Sequence, residues 1–205
     1  AFRELVTRAP SIRLIFVDDG SVDATLPMLQ SFVAQVGRSS AAVLVQPVNG
    51  GKAEAVRCGM LHAMDSGVEL VGFWDADLAT PLDAVFDLMG VLSRRNDVEW
   101  VLGARVQLLG RDIRRRAIRH YLGRVFATAA SVVLSMPVYD TQCGAKLFRV
   151  SNDLREVLSR PFVSRWVFDV EMLMRLSKIR SRDGGRPAVS SVFEFPLQQW
   201  MDVGG

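Results

Sequence analysis

The strongest constraint on the fold is a repeated pattern: a short apolar run ends in a charged or glycine-rich turn, and a helical segment follows. Runs of this kind occupy residues 14–17, 42–45, 70–74 and 100–102. The turns that close them are Asp18-Asp19-Gly20-Ser21, Asn49-Gly50-Gly51-Lys52, Asp75-Ala76-Asp77 and Gly103-Ala104-Arg105. Uninterrupted apolar runs closed by turns are typical of strands buried on both faces. Their alternation with helices predicts an α/β fold with a mostly parallel sheet.

Composition narrows the class of protein further. Of 205 residues, 49% are hydrophobic and 23% charged, which fits one globular domain over residues 1–205 and not a disordered chain. The two cysteines, Cys58 and Cys143, cannot build a disulfide scaffold, and without a CxxC pair they indicate no structural zinc. His62 and His120 show no metal-ligand spacing.

The turns at the strand ends carry the candidate ligand site. In parallel sheets, ligands bind beyond the carboxyl ends of the strands. Asp75 and Asp77, two residues apart after a strand, could both bind one divalent cation whose other ligands come from a substrate diphosphate. The alternative is a solvated turn in which Asp77 caps the next helix.

Two further turns are candidates for nucleotide binding. Asp18 or Asp19 could accept a base N–H or a ribose hydroxyl, or could simply favour the N-terminus of the following helix. The Gly50-Gly51 pair lets backbone N–H groups approach an anion, with Lys52 adding charge, although an ordinary glycine turn is the alternative. The spacing is not that of a Walker motif.

Two polar stretches in the second half are further candidates. Asp140, Lys146 and Arg149 lie close together around Cys143-Gly144, which indicates either an active-site wall or a structural salt-bridge loop. Asp169 and Glu171 lie two residues apart and would point in different directions on a helix, so at most one of them faces the site.

Positive charge is concentrated in one segment. Residues 111–124 contain six arginines and one acid, while the whole chain carries only +3, so the remainder is net acidic. With the apolar stretch that follows, residues 111–134 match an interfacial helix on anionic lipid. A solvated basic face is the alternative. Nucleic acid is not expected as a partner, because residues 111–124 contain no interleaved aromatic residue beyond Tyr121 and no recognised binding motif.

Together these segments resemble the family 2 glycosyltransferases, in the branch of dolichyl-phosphate β-glucosyltransferases and bacterial polyprenyl-phosphate relatives. The first and third segments below are shared across the wider family, whereas the last two are specific to the glucosyl branch. The matching segments are VDDGSVDAT (17–25), NGGKAEAVRCGM (49–60), FWDADLATP (73–81), LGAR (102–105), DTQCGAKLFR (140–149) and RWVFDVEML (165–173).

The resemblance implies a GT-A fold and inverting transfer of glucose from UDP-glucose to a dolichyl or polyprenyl phosphate, with Mg²⁺ or Mn²⁺. It places the protein on the cytoplasmic face of a membrane, peripherally bound, and allows a homo-oligomer. The residues that it implies for donor binding are Asp18, Asp19, Lys52, Asp75, Ala76 and Asp77. Asp75 and Asp77 are also the implied metal ligands. Arg105, Asp140 and Asp169 are the catalytic candidates, and Lys146 and Arg149 the candidates for the acceptor phosphate.

The sequence also departs from the family pattern. Residues 1–11 hold no counterpart of the Pro-Ala-Tyr-Asn-Glu-like motif that ends the family's first strand, so we expect a chain shortened at both ends and lacking that strand. Ala79 stands where mannosyl relatives often have Gln, which favours the glucosyl branch. The alternatives are a sugar-nucleotide nucleotidyltransferase and a catalytically incompetent fragment that binds nucleotide sugar.

Overall fold

The computed structural model describes residues 1–114 and 117–203, with the backbone alone for residues 117–125. The chain folds into two compact units, each described by itself below. Unit 1 comprises Ala1–Val68 and Arg160–Phe168, and unit 2 comprises Glu69–Ser159 and Asp169–Gly205.

Unit 1 is built on a pair of parallel strands. Strands β1 and β2 pair from Leu14↔Ala41 to Asp18↔Val45. Gly59 lets a helix approach β1 closely, because a Cβ at that position would lie 2.8 Å from Val17 Cγ2. The elements in chain order are α1 (Phe2–Arg8), β1 (Leu14–Asp18), α2 (Thr25–Val36), β2 (Ala41–Val45) and α3 (Lys52–Met64).

Unit 2 is built on a mixed four-stranded sheet in the order β3-β6-β4-β7, with β5 and β8 forming a separate parallel pair. Strand β6 runs antiparallel to both of its neighbours, while β4 and β7 are parallel. The elements are β3 (Leu70–Trp74), α4 (Ala84–Arg94), β4 (Trp100–Ala104), β5 (Asp112–Arg114), α5 (Ala117–Leu134), β6 (Ala145–Arg149), α6 (Asn152–Leu158), α7 (Phe168–Asp183), a 3₁₀ turn (Ala188–Ser190), β7 (Val192–Pro196) and β8 (Gln199–Met201).

The core of unit 2 explains the apolar run that forms β4. All five residues of β4 are buried, as expected for a strand covered on both faces. Trp100 packs edge-to-face on Phe148 of β6 with ring centroids 5.1 Å apart, and Leu88 and Leu92 of α4 belong to the same buried set. Burial of such side chains stabilises by roughly 1.5–3 kcal/mol each.

The α/β class and the strands expected from the apolar runs are confirmed. Strand β6 is not apparent from the sequence, because it lies within the polar stretch 140–149. Residues 111–134, which the sequence predicts as an interfacial helix, are helical only in part: residues 112–114 form β5, which pairs with β8, and α5 begins at Ala117.

Among the helices in the described part of the chain, none has both the length and the hydropathy needed to cross a bilayer.

Candidate active site

The Asp75-Ala76-Asp77 turn follows directly from the carboxyl end of β3. The Asp75 N–H donates to the carbonyl oxygen of Gly144 at 2.8 Å, which ties the turn to the start of β6. Asp77 Oδ1 accepts the N–H of Ala79 at 3.0 Å, while Leu78 takes the left-handed conformation with φ of 57°. One oxygen of Asp77 thus shapes the turn, and its other oxygen is left for a ligand.

Gly144 is required by the close approach of Asp75. A Cβ at position 144 would lie 1.9 Å from Asp75 Oδ2, well inside any allowed contact. The Asp75 carboxylate therefore occupies space that only a glycine leaves open. This explains in physical terms why a glycine precedes β6.

A polar cavity of about 200 Å³ lies over this edge of the sheet in unit 2. It has the volume for part of a ligand, such as a diphosphate with its cation, since pockets for whole drug-sized ligands run at roughly 300–1,000 Å³. Among the described residues, three carboxylates and one guanidinium contribute, so the lining is net negative. The lining residues are Asp75, Asp77, Ala79, Thr80, Arg105, Gly144, Trp200, Asp202 and Val203.

Arg105 is held at the cavity by Asp140. Its Nε and Nη2 donate to the two oxygens of that carboxylate at 2.6 and 2.7 Å, and its backbone N–H donates to Oδ2 at 2.9 Å. The guanidinium also lies over Trp200, 5.3 Å from the ring centroid. A bidentate pair with an aromatic support fixes the orientation of the guanidinium before any ligand binds.

The protonation states of this pair are firmly set. Burial acts to raise the pKa of the Asp140 carboxyl, but the hydrogen bonds and charge of Arg105 outweigh it and hold that pKa below its usual value. Burial likewise acts to lower the pKa of Arg105, and the hydrogen bonds to Asp140 reverse this and raise it. A carboxylate so firmly ionised and fully engaged is poorly suited to act as a general base.

Lys146 and Asp169 form a second, buried pair. The Nζ of Lys146 lies 2.6 Å from Asp169 Oδ1, and both side chains are almost completely buried. Lys146 also donates to the carbonyl of Cys143 and lies over the ring of Phe73 at 5.0 Å. A buried ammonium engaged in this way has no route to bind an acceptor phosphate directly. The expectation for Lys146 is corrected accordingly.

Arg149 lies at the opposite end of β6 from the cavity, paired in register with Leu70 at the start of β3. Its guanidinium donates to the carbonyl oxygens of Leu92 and Val98. The structure therefore does not bring Arg149 to the cavity. The physical reason is that residues 145–149 form a strand, so their side chains are spread along its length instead of clustering in a loop.

In unit 1, Asp19 shapes the glycine turn. Its two carboxylate oxygens accept the N–H groups of Gly50 and Gly51 at 2.7 and 2.8 Å. These amides were expected to approach an anion, but Asp19 already occupies them. The contact between Asp19 and the glycine pair is therefore structural. The expectation that the Gly50 and Gly51 amides bind a phosphate is corrected, because both already donate to Asp19. Lys52 is the first residue of α3.

Asp18 is placed so that its carboxylate could bind a nucleoside. Its side chain is buried at the end of β1, with 3% of its surface exposed. Within the described residues, Oδ1 has no hydrogen-bond partner. A buried carboxylate oxygen of this kind requires a donor, and a bound ligand can supply one.

The residues at the unit 2 cavity fit a divalent cation that is shared with a substrate. Asp75 and Asp77 present oxygen ligands, the donor type that Mg²⁺ and Mn²⁺ prefer, in the space that Gly144 leaves open. No group of three or more His, Cys, Asp or Glu side chains gathers around a metal position within residues 1–114 and 117–203. The remaining ligands would therefore have to come from phosphate oxygens or water.

The structure describes only part of the expected membrane segment. Arg114 pairs with Asp112 on the surface at 2.9 Å, and Val132 and Val133 of α5 are largely exposed. Arg115 and Arg116, and the side chains of Arg119 and Arg124, lie outside the described residues. The lipid-binding role of residues 111–134 stays a prediction.

Sequence reasoning missed three functional candidates in unit 2: Trp200, Asp202 and Glu194. Trp200 and Asp202 line the cavity from strand β8 and the residue after it. The available signal was their spacing of two residues at the end of a short strand. Glu194 lies within β7 and accepts backbone N–H groups of Tyr139 and Asp140, which no sequence pattern reveals.

Comparison with solved structures defines the class of fold. Glucosyl-3-phosphoglycerate synthase from Mycobacterium tuberculosis, solved in complex with Mn²⁺ and UDP-glucose, matches the whole chain with a TM-score of 0.62 at 20% identity, over 67% of its own length. The same enzyme in complex with UDP matches with a TM-score of 0.63. The fold is that of the GT-A glycosyltransferases.

The chain belongs to glycosyl transferase family 2, whose family model matches residues 2–154. It is similar to dolichyl-phosphate β-glucosyltransferases from Dictyostelium discoideum (32% identity over 82% of the chain), Drosophila melanogaster (35% over 78%) and Homo sapiens (32% over 78%). The chain spans about half the length of these relatives, at 52%, 49% and 50%.

Proposed function

We propose that this protein transfers glucose, with inversion, from UDP-glucose to a dolichyl or polyprenyl phosphate with the help of Mg²⁺ or Mn²⁺. The proposal depends on one observation: Asp75, Asp77 and Arg105 line the same polar cavity. The relatives in the family named for this reaction support the choice of sugar and acceptor.

Each unit, taken by itself, offers residues for a role in donor binding. The buried Oδ1 of Asp18 accepts a hydrogen bond from the nucleoside, such as the N3–H of uracil. Asp75 and Asp77 would hold the divalent cation, which would supply positive charge to stabilise the negative charge that builds on the departing UDP. Ala79 leaves the cavity without a further side-chain ligand at that position.

Arg105 supplies a fixed positive charge at the reacting groups. Its bond to Asp140 keeps the guanidinium oriented, so little reorganisation is needed when negative charge develops on a phosphate. In the transfer, an acceptor phosphate oxygen bonds to C1 of glucose while the C1–O bond to the UDP phosphate breaks, with the electron pair leaving on UDP.

The acceptor needs no strong base. A phosphate monoester with a second pKa of about 6 is already largely ionised near neutral pH. This agrees with the engagement of Asp140 by Arg105 and of Asp169 by Lys146, which leaves neither carboxylate as an evident base. The lipid acceptor supports peripheral binding at the cytoplasmic face of a membrane as part of the same proposal.

Binding of UDP-glucose and of GDP-mannose, each measured by calorimetry with Mn²⁺ and with EDTA, tests the donor assignment. We expect UDP-glucose to bind more tightly in the presence of Mn²⁺. Asp18→Ala should weaken that binding roughly 10–100-fold, the effect expected when a hydrogen bond to a charged group is lost. The exposed Asp23→Ala variant is the control. Equal binding of both donors, or no effect of Asp18→Ala, would contradict the assignment.

A further inference from the structure

Glu194 is a partly buried carboxylate that lies outside the cavity but is hydrogen-bonded to the segment that carries Asp140. Its Oε1 accepts the N–H of Asp140 at 2.7 Å, and its two oxygens accept the N–H of Tyr139 at 2.9 and 2.7 Å. Both amides lie in the segment between α5 and β6, and Glu194 supplies the acceptor that a helix or sheet supplies elsewhere. Burial raises the pKa of Glu194, against the effect of these amides.

The register of the sheet shows why Glu194 can do this. One residue from each strand of the sheet lies in a single row, so the four side chains share one face. The row is Phe73 on β3, Lys146 on β6, Leu102 on β4 and Glu194 on β7. Glu194 is the outermost member of the row. It therefore reaches the chain segment that leads from α5 back to β6, at Tyr139 and Asp140.

The bonds continue from Glu194 to the cavity without interruption. Glu194 accepts the backbone N–H of Asp140, and the Asp140 carboxylate accepts hydrogen bonds from Nε and Nη2 of Arg105. Arg105 in turn lines the cavity beside Asp75 and Asp77. Partial burial of a carboxylate is unfavourable unless the group is hydrogen-bonded, and Glu194 makes its hydrogen bonds to these two amides.

We propose that Glu194 is a positioning residue for sugar transfer, acting through Asp140 to hold the guanidinium of Arg105 at the reacting phosphate. The inference rests on the proposed function. It assigns Glu194 no contact with substrate, so its loss should affect the rate of transfer and leave donor binding at Asp75 and Asp77 largely intact.

The test is a double-mutant cycle on steady-state glucosyl transfer, with the variants Glu194→Gln, Arg105→Lys and both together. Gln has nearly the shape of Glu but is neutral, and in either orientation its NH₂ group replaces an oxygen that accepts a backbone N–H. Lys cannot make the bidentate bond. We expect each single variant to lower kcat roughly 10–100-fold, as for other residues that orient a functional group, and the donor KM to change less than about threefold.

The double variant separates positioning from simple structural support. If Glu194 acts through Arg105, the double variant should be at most about threefold slower than the slower single variant, because the same interaction is lost only once. Independent losses would multiply and overturn the proposal. Glu156→Gln, in an exposed pair with Arg182, is the control and should keep full activity.

Two results distinguish failure of this inference from failure of the proposed function. Full activity of Glu194→Gln in a protein whose wild type transfers glucose would overturn the role of Glu194 alone. A wild type that transfers no sugar would overturn the proposed function and this role with it. Thermal unfolding of each variant shows whether a loss of kcat comes from a folded protein.

Discussion

Replacing Asp77 with Asn is expected to lower the rate of metal-dependent sugar transfer by about 100-fold or more, since a catalytic cation contributes several kcal/mol. Asn keeps an Oδ1 that can accept the Ala79 N–H, so the turn after β3 should be preserved. What is lost is one of the two negative charges that face the cation. Initial rates over a titration of Mn²⁺ measure the effect.

The same titration contains its own control. Asp83 is exposed at the start of α4, a few residues beyond the turn, and Asp83→Asn should leave both the rate and the Mn²⁺ requirement unchanged. In Asp77→Asn, we expect the half-saturating Mn²⁺ concentration to rise as the rate falls. A normal Mn²⁺ response in this variant would remove Asp77 from the metal site.

Replacing Asp169 with Asn is expected to destabilise the protein by about 3–5 kcal/mol, because it leaves the ammonium of Lys146 buried without its counter-charge. Lys146 would retain the carbonyl of Cys143 and the ring of Phe73, which do not balance a full charge. For a chain of this size, the melting temperature should fall by roughly 6–20 °C.

An exposed ion pair provides the comparison for Asp169→Asn. Arg95 and Asp97 pair at 2.5 Å, but about half of each side chain is exposed. Asp97→Asn should therefore lower the melting temperature far less than Asp169→Asn does. Calorimetric unfolding of both variants tests the difference, and equal losses would show that burial of the Lys146–Asp169 pair does not determine its contribution.

The sequence predicts the strand ends well because that signal is local. An apolar run followed by Asp or Gly needs no knowledge of distant residues, and β3 with its Asp75-Ala76-Asp77 turn is where the pattern places it. Parallel strands bring their carboxyl ends to one edge, which is why Asp75 and Arg105 meet in unit 2.

The errors arise where a residue's partner is distant in sequence. Lys146 resembles a surface charge until Asp169, far along the chain, is seen to neutralise it inside unit 2. Proximity along the chain groups Arg149 with Lys146, yet strand geometry separates the two ends of β6. Sequence reasoning treats Asp19 and Gly50 as separate ligand sites, whereas one binds the other.

Glu194 and Gly144 show a second limit of sequence reasoning. No residue near Glu194 indicates that its carboxylate serves the amides of Tyr139 and Asp140, because that contact depends on the order of strands in the sheet. The need for Gly144 arises only when the Asp75 carboxylate is packed against it. Both features belong to the tertiary structure.

The most direct test of the proposed function is a product assay with UDP-glucose labelled in the sugar and dolichyl phosphate as acceptor, with Mn²⁺ and with EDTA. We expect label to move into the lipid fraction as β-linked glucosyl phosphate in the presence of Mn²⁺, and to stay with UDP when EDTA is present. Three results would contradict the proposed function: equal transfer with EDTA, an α-linked product, or no lipid-linked glucose with Mn²⁺.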